Sequence, residues 1–293
     1  MIIDSHAHYA HAKFEGEFSY LCERNGEYAA ERVELSGLID EMKNQGLVGA
    51  IEVSIGFYSI EKQMALASEH RGFLHTTVGV HPTRCINIDP RNRKKLREYA
   101  EKNAPVAIGE TGLDYHYPRR EQYRLRQKRW FIYQIKLADE LGLPLVLHIR
   151  DAHGDALGLL RRNASRLHGG VAHCFTGDVE LAEKYIALGF SLGIGGKLLC
   201  DDEVGRVLCE TVKSVPLSSI LVETDAPFVL PDTDGLECSK NQRKRLCNSS
   251  LILPSVIRKI AELRGETYDA VEDAIYRNTV RLFGLDGKEK GDE

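Results

Sequence analysis

Four histidines and two carboxylates lie at, or just beyond, the ends of short apolar runs in this 293-residue chain. They are His6, His8, Glu110, His148, His173 and Asp225. Neutral imidazoles and carboxylates are ligands that zinc, manganese, iron and, more weakly, magnesium accept in proteins. A single histidine after a strand is more often a hydrogen-bonded rim residue, and a single aspartate is often a helix cap. The recurrence of such residues after five separate runs instead predicts a metal centre.

His6 and His8 are separated by one residue. Side chains alternate along a strand, so both imidazoles are expected on the same face, where they can reach one ion. A His-x-His pair is a weak signal by itself, because so short a pattern is common. The other four residues provide the support that this pair needs.

Four imidazoles and two carboxylates exceed the needs of one tetrahedral ion and suit two ions. The expected ligands of the first ion are His6, His8 and Asp225. The second ion would be bound by His148 and His173, with the Glu110 carboxylate bridging the pair. Two divalent ions against two carboxylates leave about two positive charges uncompensated, which favours an anionic phosphoester over a neutral amide.

Such a pair of ions, about 3.5–4 Å apart, lowers the pKa of a bound water and stabilises the attacking and leaving oxygens. Asp225 is expected to accept the proton of that water. Glu110 is the second predicted catalytic carboxylate, through its bridging position.

The elements that must position these residues are short apolar strands alternating with helical segments. The strands are predicted at 2–4, 49–53, 75–80, 106–109, 145–147, 170–172, 190–193 and 220–222. Eight strands separated by helices predict an α/β fold, a single-domain (β/α)8 TIM barrel, whose active sites lie at the carboxyl ends of the strands. An open doubly wound sheet is the alternative, but no Gly-x-Gly-x-x-Gly turn follows the first strand.

The clearest predicted helices are 121–141 and 178–188, each stopped by a glycine. Residues 9–33 form a long connection after the first strand, with aromatic residues spaced through it. This connection could be a lid or substrate wall, or a loop whose aromatics pack it onto the barrel rim. The barrel is expected to span 1–286, and 287–293 is expected to be a charged, frayed tail.

Composition excludes several classes of protein. The net charge of −4 lacks the positive field of a protein that coats nucleic acid, so an anionic substrate must be bound locally. No run of apolar residues is long enough for a membrane span, and the amino terminus lacks the pattern of an export signal. Seven scattered cysteines without a Cys-x-x-Cys pair indicate reduced thiols, and we expect a cytoplasmic protein.

An ordered set of motifs runs through nearly the whole chain. They are Asp4-Ser5-His6-Ala7-His8, Gly79-Val80-His81-Pro82, Gly109-Glu110-Thr111-Gly112-Leu113-Asp114-Tyr115, His148-Ile149-Arg150-Asp151-Ala152, His173-Cys174-Phe175-Thr176-Gly177, Glu223-Thr224-Asp225-Ala226-Pro227 and Asn278-Thr279-Val280-Arg281-Leu282-Phe283-Gly284. In this set the chain resembles the TatD-type metal-dependent deoxyribonucleases, which are relatives of the amidohydrolase barrels.

The resemblance implies the barrel fold, the metal ligands assigned above, and hydrolysis of DNA phosphodiester bonds from strand ends, of the 3'-5' exonuclease type. DNA is then the expected partner, and neither a membrane nor a protein partner is implied. The resemblance also makes His81 a candidate phosphate contact. Its other interpretation is a rim histidine that anchors the turn before Pro82.

The chain departs from the family after its last strand. Where the family usually carries Arg-Asn-Glu-Pro, this chain has Cys247-Asn248-Ser249-Ser250, which retains only the asparagine. The basic run at 240–245 lies just upstream and could supply positive charge at the barrel mouth, although such runs are usually solvated faces. The connection after the first strand is also longer than usual.

Two other functions fit the same ligands. A barrel with two metals could hydrolyse an ester or amide, in a small metabolite or an aminoacyl-nucleic acid, because a fold does not fix the bond that is cleaved. A metal-stabilised scaffold without turnover is the third possibility, and the complete ligand set argues against it.

Overall fold

The computed structural model describes residues 1–24, 27–85, 88–116, 121–232, 236 and 240–287. The strands within these residues are Ile2–Ala7 (β1), Phe18–Arg24 (β2), Glu27–Val33 (β3), Leu47–Glu52 (β4), Leu74–Val78 (β5), Ala107–Asp114 (β6), Leu145–Arg150 (β7), Gly170–Ala172 (β8), Phe190–Ile194 (β9) and Ile220–Val222 (β10). The α-helices are Leu35–Asn44 (α1), Phe57–Glu69 (α2), Arg93–Asn103 (α3), Glu121–Leu141 (α4), His153–Arg162 (α5), Val179–Ile186 (α6), Glu203–Ser214 (α7), Lys240–Arg245 (α8), Leu253–Arg264 (α9) and Tyr268–Phe283 (α10).

Eight strands, β1 and β4 to β10, are hydrogen-bonded neighbours in the order in which they occur along the chain. Each neighbouring pair from β5 to β9 is parallel. A bridge between Ala7 and Ala226 joins the carboxyl ends of β1 and β10, so the barrel is nearly closed. This order confirms the predicted (β/α)8 barrel. The alternative prediction, an open doubly wound sheet, is wrong, because the strand order of that fold reverses at a switch point, whereas these strands follow the order of the chain.

Three strands run further than the sequence predicts. β1 ends at Ala7 rather than at residue 4, β6 at Asp114 rather than at 109, and β7 at Arg150 rather than at 147. The prediction ended each strand where its run of apolar residues ends, but the ladder continues through polar residues and glycine, as in the pairings of Gly112 with His148 and of Asp114 with Arg150. His6, Glu110 and His148 therefore lie within strands rather than in the loops that follow them.

By their internal contacts the described residues divide into two compact units. The first comprises Met1–Ile51, Cys174–Ala182 and Gly193–Thr279, and its buried residues include Leu38, Ile39 and Leu208. The second comprises Glu52–His173, Glu183–Leu192 and Val280–Glu293, and its buried residues include Trp130, Phe131 and Leu147. The predicted limits of the barrel at 1 and 286 stay a prediction.

The long connection after β1 is a β-hairpin rather than an irregular loop. β2 and β3 pair antiparallel from Phe18 opposite Val33 to Arg24 opposite Glu27. The Leu21 N–H donates to the carbonyl of Cys247, and Leu21 packs with Leu246 and Ile252 in a buried cluster. The hairpin is therefore fixed to the segment that follows α8. Phe14 of the turn before the hairpin, and Phe18 and Tyr20 of β2, are buried, and Tyr28 of β3 is half-buried, as the packing interpretation predicts.

The remaining sequence predictions are met in part. No helix among the described residues is both long and apolar enough to cross a membrane. The described cysteines are thiols, and Cys238 lies outside the described residues. α4 has the predicted bounds, and α6 is shorter than the predicted 178–188. Residues 288–293 of the predicted tail also lie outside the described residues, and the cytoplasmic location stays a prediction.

Candidate metal centre

The first cluster lies in the first compact unit and consists of His6, His8 and Asp225. The His6 and His8 Nε2 atoms are 3.2 Å apart, and the Asp225 Oδ1 atom lies 3.7 Å from the first and 3.2 Å from the second. Asp225 follows β10 with φ of 55°, a left-handed conformation that is costly for a residue with a Cβ atom. Its N–H donates to the His6 carbonyl at 2.9 Å, so the β1 backbone holds this conformation in place.

Behind this cluster lies a fully buried carboxyl, that of Asp4. It accepts hydrogen bonds from the hydroxyls of Thr224 and Ser250, both at 2.6 Å, and from the His6 N–H at 3.1 Å. The Ser250 hydroxyl is itself 2.5 Å from that of Tyr9. Burial raises the pKa of Asp4 to about 7, while these hydrogen bonds oppose the rise. The network fixes the His6 backbone, and Ser250 occupies one of the positions where the chain departs from the family pattern.

The second cluster lies in the second compact unit and consists of Glu110, His148 and His173. The Glu110 Oε1 atom is 2.8 Å from the Nδ1 atom of His148 and 3.0 Å from the Nε2 atom of His173. The two imidazole nitrogens are 3.3 Å apart. Glu110 and His148 project from β6 and β7, and His173 directly follows β8, where its N–H donates to the Leu147 carbonyl. Three neighbouring strands thus bring one carboxylate and two imidazoles together.

The electrostatics of the second cluster favour an ionised carboxylate. Burial disfavours the charged form of Glu110, but attraction to the imidazoles and hydrogen bonds from His148 and His173 keep its pKa well below its ordinary value. Burial also disfavours the charged form of His148, yet hydrogen bonds with Asp114 and Glu110 outweigh it and raise the pKa of the imidazole. The carboxylate is thus in the form that binds a cation.

Asp114 contacts the second cluster, although it is not among the predicted site residues. Its Oδ2 atom lies 3.3 Å from the Nε2 atom of His148, on the far side of the ring from Glu110. Ligating histidines commonly donate their second ring N–H to a carboxylate, which fixes the ring and its tautomer. Asp114 lies four residues after Glu110 on the same strand, so the period-two alternation that indicated His6 and His8 could also have indicated this pair.

His81 lies beside the second cluster, with its Nε2 atom 3.7 Å from Glu110 Oε1. Its Nδ1 atom accepts the Thr83 N–H at 3.2 Å, as the predicted turn anchor would. Burial lowers the pKa of His81 to about 3, so the ring is neutral. A neutral ring whose Nδ1 accepts a hydrogen bond carries its proton on Nε2, which makes that atom a donor.

The spacing of the donor atoms fits divalent ions. Ligand bonds of about 2.0–2.2 Å place neighbouring donors about 3.3–3.6 Å apart in a tetrahedral site. The same bonds place them about 3 Å apart in an octahedral site. The distances in the first cluster are 3.2–3.7 Å, and those in the second are 2.8–3.3 Å. Both sets also combine imidazole with carboxylate, which divalent ions accept as ligands. Donor atoms of His6, His8 and Asp225 all lie within 4.8 Å of one another, and so do those of Glu110, His148 and His81.

The predicted ligands are thus brought together within each unit. The first unit unites His6, His8 and Asp225, and the second unites Glu110, His148 and His173, with His81 adjacent. The bridging role expected of Glu110 stays a prediction. The basic run forms α8, and its described side chains, including Arg243, Lys244 and Arg245, are exposed.

Comparison with known proteins identifies the family. Residues 3–284 match the family described as TatD related DNase. A protein from a Rahnella species, named 3'-5' ssDNA/RNA exonuclease TatD, is 35% identical over 251 residues, or 86% of this chain and 92% of that protein. A Bacillus subtilis protein named Uncharacterized metal-dependent hydrolase YabD is 29% identical over 287 residues, or 97% of this chain and 100% of its own length.

A solved structure agrees with these relatives. The crystal structure of YJJV, a TatD homolog from Escherichia coli, has a TM-score of 0.78 and is 26% identical, covering 97% of this chain and 98% of its own. The family match extends over nearly the whole chain and includes every residue of both clusters. This protein therefore belongs to the TatD related DNase family of metal-dependent hydrolases.

Proposed function

We propose that this protein is a divalent-metal-dependent exonuclease that hydrolyses phosphodiester bonds of single-stranded DNA from the 3' end. The observation that carries this proposal is the pair of clusters, each with two imidazoles and a carboxylate at strand ends of the barrel. The name of the Rahnella relative, a 3'-5' ssDNA/RNA exonuclease, supports the substrate and the direction of digestion.

We propose two ions, one for each cluster. His6, His8 and Asp225 would bind the first, and Glu110, His148 and His173 would bind the second. Ligands of these types accept zinc, manganese and iron, and magnesium more weakly. A divalent ion supplies a water of lowered pKa and neutralises charge on phosphoryl oxygens when it is bound.

The chain's own residues would supply positioning and proton transfer. The Asp225 carboxylate is partly exposed, 16% of its side chain, so it can accept a proton from an attacking water. The Nε2–H of neutral His81 is a donor for a phosphoryl oxygen of the substrate. Glu110 would keep the second cluster anionic, so that a cation rather than the phosphate occupies it.

The test uses protein stripped with a chelator and reconstituted separately with Mn²⁺, Zn²⁺, Fe²⁺ or Mg²⁺. DNA and RNA labelled at the 5' end, in single- and double-stranded form, are incubated with it beside a panel of esters and amides. We expect single-stranded DNA to shorten one nucleotide at a time and chelator to stop the reaction. Turnover of the esters or amides with no shortening of any nucleic acid would contradict the proposal, as would RNA digestion alone.

A substitution of Asp225 tests whether this carboxylate accepts the proton of the attacking water. Asp225→Asn is expected to lower kcat by about 10²–10⁴-fold, the usual contribution of a positioned acid or base. The matched control is Asp151→Asn, which changes an exposed carboxylate that pairs with His116. Full activity of Asp225→Asn with metal bound would remove Asp225 from this role.

A further inference from the structure

Phe228 is an exposed aromatic residue beside the first cluster. The ring is 38% exposed, and its centroid lies 6.2 Å from that of His8 and 5.1 Å from that of His11. Both imidazoles meet it edge-on, at interplanar angles of 64° and 74°. The Phe228 N–H donates to the Asp225 carbonyl at 2.8 Å, so a tight turn holds the ring next to a proposed metal ligand.

Its position distinguishes Phe228 from the other exposed large apolar side chains that the structure describes. Isolated exposed apolar residues are ordinary and need no function. The other exposed large apolar residues that the structure describes are Met1, Val48, Tyr58 and Leu125. Phe228 differs because its ring packs against the imidazole of His8, which belongs to the proposed reaction centre.

A cation accompanies the ring. The Lys13 ammonium lies 5.4 Å from the Phe228 centroid, and Lys13 is exposed. The Cys247 thiol contacts the carbonyl of Lys13 at 3.8 Å and that of Arg245 at 3.9 Å. The backbone at Arg245, the last residue of α8, is therefore close to the backbone of Lys13. We name Phe228, His11 and Lys13 the Phe228 surface.

We propose that the Phe228 surface binds a nucleobase adjoining the bond to be cleaved. The base stacks on the exposed part of the ring, and the Lys13 ammonium contacts a phosphate of the same strand. This inference rests on the proposed nuclease function and deepens it. Stacking on an aromatic side chain tolerates any base sequence, because every base has a π-face.

The geometry has a consequence for substrate choice. A base can reach the ring only when it is unpaired and unstacked from its neighbours, as at a single-stranded end. The combination of an aromatic ring with a cation is also the usual means of binding single strands. The Phe228 surface therefore accounts for a preference for single-stranded over double-stranded ends.

The first test is Phe228→Leu, which keeps an apolar side chain and removes the ring. Loss of one stacked base is expected to raise KM for a single-stranded oligonucleotide about 5- to 150-fold, with little change in kcat. An oligonucleotide with abasic nucleotides at its 3' end already lacks this interaction, so both proteins should process it with the same KM. Phe228→Trp should restore the KM of the original protein.

The matched control is Tyr58→Leu. Tyr58 is 63% exposed and has Arg84 5.2 Å from its ring centroid, so it is also an exposed aromatic beside a cation. Tyr58→Leu is expected to leave KM for the single-stranded oligonucleotide unchanged.

Lys13→Gln tests the cation separately. Loss of one phosphate contact to a single strand should make the plot of the logarithm of the association constant against log salt concentration less steep, by about 0.7 in slope.

The inference is overturned if Phe228→Leu raises KM equally for intact and abasic substrates, or leaves it unchanged. It is also overturned if Phe228→Trp fails to restore KM. A protein that digests no nucleic acid with any metal would instead refute the proposed function, so the two failures are distinguishable.

Discussion

At the scale of single residues, the two clusters depend on side chains that bind no ion themselves. Asp4 holds the backbone of His6, and Asp114 contacts the ring of His148. Such residues position a ligand in one orientation before any ion arrives, which lowers the entropy that binding must remove. Removing them is therefore expected to weaken metal binding without changing the ligand set.

Asp114→Asn is the direct test of this positioning. The amide retains the size of the carboxyl but cannot supply its charge, so affinity for the ion of the second cluster should fall about 10- to 100-fold. Calorimetric titration of chelator-treated protein with Zn²⁺ or Mn²⁺ measures the change. Asp151→Asn, three residues after His148 and exposed, should bind as the original protein does. Equal affinities in all three proteins would show that Asp114 has no such role.

At the scale of elements, the hairpin formed by β2 and β3 is stabilised by its contact with the segment after α8. The Ser249 hydroxyl donates to the Leu21 carbonyl at 2.6 Å, and Tyr20 forms a bridge with Cys247. The next residue, Ser250, belongs to the network around Asp4. The residues that replace the usual family motif thus join the hairpin to the support of the first cluster.

Leu21→Ala tests how much the hairpin contributes to stability. Leu21 is fully buried, so its truncation should lower the free energy of unfolding by about 2–5 kcal/mol. Urea denaturation followed by circular dichroism measures this loss. Leu125→Ala, at a position 52% exposed on α4, should change the free energy by less than about 0.5 kcal/mol. Similar urea concentrations at the midpoint of unfolding for the two variants would mean that the hairpin packs loosely.

Much of this arrangement could be predicted from the sequence because strand-end polarity is a local pattern. Apolar runs followed by His6, Glu110 or Asp225 are visible without a fold, and the barrel then determines where they meet. The roles of Ser250 and Phe228 could not be predicted in this way. They depend on which distant backbone segment packs against β1, and no spacing within the chain encodes that contact.

At the scale of the whole molecule, the protein has a net charge of −4, although its proposed substrate is an anion that must bind at the metal centre. The exposed Lys13 lies over Phe228, whose ring packs against His8 of the first cluster, whereas the overall charge discourages binding along the rest of the surface. Proteins organised in this way bind anions at one place, and their affinity decreases as salt screens the interaction.

Removal of metal should also affect the stability of the whole chain. An ion that binds only the folded state at a free concentration 100 times its Kd adds about 2.7 kcal/mol to the free energy of unfolding. Chelation should therefore lower Tm by about 4 °C for each such ion, since the entropy of unfolding scales with chain length. The double substitution His6→Ala and His8→Ala should reduce the shift, while His168→Ala, at an exposed histidine paired with Asp139, should not. An unchanged Tm on chelation would indicate that neither cluster binds an ion.

The two-stranded sheet has an effect on association between molecules. β3 is its outer strand among the described residues, and outer strands can template intermolecular sheets and aggregation. The exposed charged side chains of Glu27 and Arg32 lie along this strand. A neighbouring molecule that docked there would have to desolvate these charges, so the strand is protected against fibril-like stacking even at high protein concentration.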